Sequence, residues 1–174
     1  MEKRFTCPKH IIVSILLLFS LSFSAQNNIW TKTSENIASR GELIARQSQP
    51  EKASYYSLNI ENLKNALENT PRRSALGWAN AITLDFPNAK GDMETFKILE
   101  ASIMESELQA KYPELRSYVG QNVKDASSSI RFSITPLGLH AMVLSPNTAS
   151  QIIDPYANND TYICLLYTSD AADE

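Results

Sequence analysis

The sequence is poor in the residue types from which most active sites are built. It contains two histidines, two cysteines and five glycines in 174 residues. No HExxH zinc motif, glycine-rich phosphate loop or nucleophile elbow occurs in it. Sixteen basic residues mix with 19 acidic ones, so there is no basic stripe of the kind that binds nucleic acid. We therefore expect no catalytic, cofactor-binding or metal-binding residue in this chain and no nucleic-acid partner.

The first 25 residues have the layout of a secretory signal peptide. Lys3, Arg4 and Lys9 precede an apolar run at 11–23, and two small residues, at 24 and 25, follow it. The run is shorter than the stretch of about 20 apolar residues that a membrane-spanning helix needs. We expect cleavage after Ser24 or Ala25 and a secreted or cell-surface protein without a stable membrane anchor. An uncleaved anchor is the alternative.

The last eleven residues, Cys164 to Glu174, resemble the conceptual translation of a transposase-type sequencing adapter. On this interpretation Ile163 is roughly the last natural residue, and the parent chain was longer. The other cysteine, Cys7, lies in the signal peptide, so residues 26–163 contain none. This excludes a disulfide framework, a thiolate metal site and a cysteine nucleophile from the mature segment.

Residues 26–50 are predicted to be a polar N-terminal arm, loosely structured at first, with Trp30 docking it on the domain at 51–163. A short strand or turn is expected at 39–45, and a linker ends at Pro50. The segment 54–60 reads as a strand with Tyr56 and Leu58 on one face.

A short helix is predicted from Ile60 to Asn69, where Thr70-Pro71 stops it. Asn59 is its expected N-cap, and its apolar stripe is expected to consist of Leu63, Ala66 and Leu67. A second short helix is predicted at 105–112.

Two hairpins are predicted from alternating apolar residues. The first joins residues 81–86 to 94–103, with Phe96, Ile98 and Ile103 on the face opposite Leu99. The second joins Ile130, Phe132 and Ile134 to Leu139, Ala141 and Val143 through a type I turn at 135–138. Segments 118–120 and 152–156 are expected to flank it as strands.

One more strand is expected to begin at Thr161, and the β-like residues 164–167 would prolong it. The predicted fold class is therefore α+β, mainly antiparallel β hairpins with two short helices and seven or eight strands. We expect it to be an incomplete domain after a signal peptide, and a missing final strand would leave an edge unpaired.

Four short segments follow one another in the second half of the chain: Tyr118-Val119-Gly120, Ser129-Ile130-Arg131-Phe132-Ser133, Leu137-Gly138-Leu139-His140-Ala141-Met142-Val143 and Ile153-Asp154-Pro155-Tyr156. This ordered set resembles the pro-region of reprolysin/adamalysin-like zinc metalloproteases, in the version found at the N-terminus of secreted bacterial enzymes. The resemblance covers residues 30–163. It implies a non-enzymatic export and pro-domain fragment of a zinc metalloendopeptidase. Its partner would be its own downstream catalytic domain, where the zinc is expected.

In the animal members of that family a pro-region cysteine binds the zinc, and this mechanism does not transfer to a segment without cysteine. His140 or a carboxylate such as Asp154 could replace it, because both residue types bind zinc. The pattern favours a core or edge histidine for His140 and an exposed, strand-terminal carboxylate for Asp154. Arg72-Arg73 could be a dibasic processing site, but two solvated loop arginines are the favoured interpretation.

Three functions follow as hypotheses. The first is a pro-domain that helps a protease fold and keeps it latent. The second is an exported, β-rich surface binding or adhesion module, and the third is a stand-alone secreted protease inhibitor. The protein beyond Ile163 discriminates among them, since only the first hypothesis requires an HExxHxxGxxH motif downstream.

Overall fold

The computed structural model describes residues 28–45, 53–74 and 77–167. The predicted signal peptide at 1–25, the predicted linker at 47–50 and residues 168–174 lie outside the described residues. In the described part of the chain, no helix is long and apolar enough to cross a membrane.

Nine antiparallel strands form one sheet in the described residues, so the fold is mainly antiparallel β with a few short helices. The order across the sheet is β1-β2-β9-β8-β7-β6-β5-β4-β3. The strands are β1 Trp30–Thr33, β2 Ala53–Leu58, β3 Ile82–Pro87, β4 Met93–Glu100, β5 Arg116–Asn122, β6 Ser129–Thr135, β7 Gly138–Ser145, β8 Thr148–Ala157 and β9 Thr161–Tyr167. Both predicted hairpins are confirmed, as are the strands that flank the central one.

Three α-helices and one 3-10 helix connect these strands where the chain is described. They are α1 Glu35–Ala38, α2 Ile60–Leu67, the 3-10 helix Gly77–Asn80 and α3 Ser106–Lys111. The predictions of α2 and α3 are confirmed. The prediction of two helices in all is wrong by one, because α1 was not predicted.

One face of the sheet carries the core. Strands β6 and β7 bury every second residue, as their alternation predicts, and the same face continues through Phe96 and Ile98 of β4. Helix α2 contributes Leu63 and Leu67 to this core. Ala66, predicted to share that stripe, is exposed, because it lies on the solvent side of the helix.

The sheet curls until its two edges meet, which encloses the core. Trp30 of edge strand β1 packs on Phe86 of edge strand β3, with ring centroids 6.2 Å apart. Trp30 also packs on Tyr162 of β9, with ring centroids 5.7 Å apart. Lys32 Nζ donates a hydrogen bond of 3.0 Å to the carbonyl oxygen of Gly91, in the β3–β4 turn. Trp30 therefore docks the N-terminal arm on the domain, as predicted.

The arm itself is more ordered than predicted, because β1 and α1 both lie within 26–50. Strand β1 has one large apolar residue, so its sequence shows no alternation of apolar and polar residues. It forms a strand because it pairs with β2. At 39–45 the chain forms a turn with an isolated bridge from Leu43 to Ala157.

Two residues near the end of β4 differ from prediction. Leu99, expected opposite the buried face, is fully buried, because the 3-10 helix covers it at Gly77. Ile103, expected on the buried face, is 86% exposed, because β4 ends at Glu100.

Strand β9 lies inside the sheet, between β2 and β8, and runs to Tyr167. The prediction that residues 164–167 prolong this strand is confirmed. Cys164 is fully buried and pairs with Ser54 and Ile153. The edges of the described sheet are therefore β1 and β3.

The N-cap of α2 gives a first stability prediction. Asn59 accepts a hydrogen bond of 2.9 Å from the backbone N–H of Asn62, as the sequence predicts. Replacing Asn59 with alanine should lower the free energy of unfolding by about 1 kcal/mol, because that N–H loses its partner. Chemical denaturation measures it. Asn69→Ala, in the exposed turn after α2, is the matched control and should change little; an equal loss in both variants would contradict the capping role.

Alkaline pH gives a second prediction. Burial, reinforced by Glu35 and Tyr156, raises the pKa of Tyr55 to about 12 from its usual value of 10.0. Burial also raises the pKa of Tyr56, Tyr118 and Tyr162. The folded state holds these protons more tightly, so their stabilising contribution is complete below pH 10 and falls above it; that of Tyr55 is lost as the pH rises towards 12.

Chemical denaturation at successive alkaline pH values, with tyrosinate absorbance followed in parallel, should therefore show stability falling above about pH 10. Tyr55→Phe should make that fall shallower. A free energy of unfolding that stays constant over this range would contradict the prediction.

Candidate binding surface

A cleft of about 630 Å³ opens where strands β4 and β5 meet the connection that carries α3. Four arginines and one glutamate line it, which gives a local net charge of +3. We call it the arginine cleft and define it by Arg72, Arg73, Arg116, Arg131 and Glu100. Its charge is opposite to the net charge of −3 on the whole chain.

Backbone hydrogen bonds fix the first wall of the cleft. The N–H of Glu100 donates to the carbonyl oxygen of Pro71 at 2.9 Å, and the N–H of Arg73 donates to that of Glu100 at 2.7 Å. Residues 71–73 therefore run parallel beside the end of β4. Both Arg72 and Arg73 are exposed, as the sequence predicts for two solvated loop arginines.

Gln109 of α3 holds the opposite wall together. Its Nε2 donates to the carbonyl oxygens of Tyr112 and Leu115, at 3.1 and 2.9 Å. Its Oε1 accepts a hydrogen bond of 2.7 Å from the hydroxyl of Ser102. One side chain thus ties α3 to the loop that follows β4 and to the start of β5.

The guanidinium groups of the cleft differ in how they are paired. Arg116 donates to Glu100 Oε1 at 2.9 Å, and the Glu100 side chain is only 11% exposed. Arg72, Arg73 and Arg131 make no side-chain hydrogen bond or ion pair with the residues that the structure describes. These three of the four cations are therefore available to an anionic ligand. Beside the Arg116–Glu100 pair, burial and the nearby Glu100 raise the pKa of Tyr118 on β5.

A shallower groove of about 410 Å³ continues from the cleft across the outer face of the sheet. We call it the apolar groove and define it by Ile103, Met142, Ile152 and the pair His140–Asp154. Ile103 and Arg131 line both depressions, so they form one continuous surface. Met142 is 43% exposed although it lies on a central strand.

His140 and Asp154 form an ion pair or hydrogen bond on this outer face. His140 Nδ1 lies 3.0 Å from Asp154 Oδ1. The prediction of a core or edge position for His140 is wrong, because it points outward from β7, near the middle of the sheet. The prediction for Asp154 is wrong too: it lies within β8 and is half-buried against His140.

These two side chains do not amount to a metal site by themselves. Across 28–45, 53–74 and 77–167, no three histidine, cysteine, aspartate or glutamate side chains lie close enough together to hold a metal ion.

The sequence identifies Arg72, Arg73, His140 and Asp154 as candidate functional residues, but it does not predict their arrangement. Nothing in the sequence groups Arg116 and Arg131 with residues 72–73, because they lie far along the chain, on β5 and β6. The only available signal was that Arg131 alternates outward between Ile130 and Phe132.

The chain was compared with known proteins. Neither family models, nor curated protein sequences, nor solved structures give a match to the chain.

Proposed function

We propose that this chain is the export and pro-domain segment of a secreted, reprolysin-like zinc metalloendopeptidase, in which it helps the catalytic domain fold and keeps it latent. One observation carries the proposal. The four segments that resemble the family's pro-region lie in four consecutive strands, β5 to β8, each paired with the next. The segments that carry the resemblance therefore form one continuous structural unit.

Latency would come from covering the catalytic cleft. Strand addition is one route. Edge strands β1 and β3 each pair with a single neighbour in the described sheet, and they meet through the side chains of Trp30, Phe86 and Lys32 rather than through a β-ladder. Zinc ligation is the other route. The accessible pair His140–Asp154 is the candidate ligand on the apolar groove, because neutral imidazole and carboxylate both bind zinc.

The proposal includes the end of the chain. We propose that residues 164–174 derive from a sequencing adapter and that the natural chain continues differently after Ile163. Cys164 occupies a fully buried, inward-facing position between Ser54 and Ile153. A natural residue there would need to be small and apolar for the sheet to close in the same way.

The first experiment is to recover the genomic DNA beyond the codon for Ile163 and translate it. The expected result is a continuous reading frame that encodes HExxHxxGxxH within a few hundred codons. An early stop codon would favour the stand-alone inhibitor. Repeated β modules without that motif would favour the surface binding module, and either result overturns the pro-domain proposal.

Inhibition in trans is the second experiment. The purified chain should inhibit the cognate catalytic domain at micromolar concentration and should have no protease activity of its own. The double variant His140→Ala/Asp154→Ala separates the two routes: retained inhibition would favour covering by a strand, and lost inhibition would favour ligation. The absence of any inhibition by the folded wild-type chain would refute the proposal.

A further inference from the structure

We infer that the arginine cleft, with the apolar groove beside it, binds an extended acidic peptide segment that also carries apolar side chains. The inference does not depend on the protease proposal, because it rests on the charge and shape of the surface and not on the family resemblance. The ligand's chemistry follows from three features of the surface: the positive charge of the cleft, the shape of the cleft, and the apolar groove that continues from it.

The positive charge of the arginine cleft favours a ligand with carboxylate groups. Three guanidinium groups, those of Arg72, Arg73 and Arg131, have no partner among the described residues, and arginine pairs with carboxylates through two parallel hydrogen bonds. Unpaired like charges in one cleft repel each other, so an anion that joins them gains attraction and removes that repulsion. The single acidic residue, Glu100, is already committed to Arg116.

The shape favours a narrow ligand over an extended anionic surface. The cleft lies between residues 71–73 and α3, and its volume of about 630 Å³ falls within the range of about 300–1,000 Å³ that is typical of ligand sites. The chain as a whole carries a net charge of −3, which disfavours approach to a membrane or nucleic acid. A peptide chain can enter the cleft without bringing a second large anionic surface near the protein.

The apolar groove beside the cleft favours a ligand that carries apolar side chains as well as carboxylates. The apolar groove starts at Ile103, which is 86% exposed, and leads to Met142, which is 43% exposed. Covering this surface removes apolar area from water and stabilises the complex. A segment in which glutamate or aspartate alternates with leucine-like residues satisfies the cleft and the groove together.

The test measures binding of a fluorescein-labelled nonapeptide of alternating glutamate and leucine by fluorescence anisotropy. We expect saturable binding that weakens as salt is raised, because the contacts are partly exposed ion pairs. A peptide with glutamine in place of each glutamate should bind at least about tenfold more weakly, because it loses the charge-assisted hydrogen bonds. Equal binding of both peptides would overturn the inference.

Charge reversal locates the site. The variant R72E/R73E should weaken binding by about tenfold or more, since it converts two attractive contacts into repulsive ones. The matched control K90E/K124E makes the same change in net charge at two lysines that line a different opening. An equal loss in both variants would show only a general charge effect and would overturn the site. Arg131→Gln, at the junction of the cleft and the groove, provides a second loss-of-binding variant.

Glu100 supplies a variant that should gain affinity. E100Q removes the one negative charge of the cleft and keeps an oxygen that can accept from Arg116, so peptide binding should tighten several-fold. A weaker complex would argue against the inference.

Vesicles of phosphatidylserine test a lipid ligand in place of a peptide. If they bind the chain and displace the peptide at lower anion concentration, the cleft recognises a lipid headgroup and the peptide assignment is wrong.

Discussion

Replacing Phe86 with alanine should lower the free energy of unfolding by about 3–5 kcal/mol, the largest single loss that we expect in this protein. Phe86 is 1% exposed, and its ring contacts Trp30, Phe96 and Phe132 at centroid distances of 6.2, 6.1 and 5.0 Å. It joins the two edges of the curled sheet, so its removal leaves a cavity at the line of closure. Chemical denaturation is the measurement.

Leu137→Ala is the control for Phe86→Ala. Leu137 is 81% exposed in the turn between β6 and β7, so its truncation should change stability by no more than about 0.5 kcal/mol. A loss below about 1 kcal/mol for Phe86→Ala would mean that its neighbours refill the space and that the ring does not hold the edges together.

Substituting Gly120 with alanine should destabilise the fold by about 1–3 kcal/mol through overpacking, and valine should cost more. Gly120 lies on the concave face of β5, between Ile98 and Ile130. A Cβ there would lie 2.5 Å from Ile98 Cδ1, 2.6 Å from Ile130 Cγ2 and 3.1 Å from the carbonyl oxygen of Lys97. The requirement is for space, because curling brings the inward side chains of neighbouring strands together.

A double-mutant cycle tests that explanation. Ile98→Val removes the Cδ1 atom nearest to the added methyl group and by itself should cost about 0.5–1.5 kcal/mol. The variant Gly120→Ala/Ile98→Val should be less destabilised than the sum of the two single variants, because one clash is relieved. Strict additivity would show that crowding against Ile98 is not the cause.

Local sequence was sufficient wherever one strand or turn supplied the signal. Ile130, Phe132 and Ile134 alternate with polar residues, so the buried face of β6 could be predicted, and Leu139, Ala141 and Val143 do the same for β7. The cap at Asn59 was predictable because its hydrogen bond spans only three residues. These features depend on neighbours in the chain, and periodicity records them.

Predictions failed where a distant segment changed a residue's surroundings. Leu99 alternates as an outward residue, yet the 3-10 helix at Gly77–Asn80 covers it. Strand β1 has no apolar alternation and exists through its pairing with β2. His140 has an ordinary outward position on β7, and its contact with Asp154 depends on the register of β7 with β8.

The sequence by itself determined the antiparallel hairpins, the capped helix α2 and the absence of a complete catalytic motif, because each depends on residues close together along the chain. The tertiary structure decided how the nine-stranded sheet curls, which edges meet, and which arginines share a cleft. Arg72 and Arg131 are 59 residues apart in sequence, and only the strand order brings them to one surface. The physical reason is that side-chain periodicity specifies which face a residue occupies, whereas strand pairing and closure specify what lies beside it.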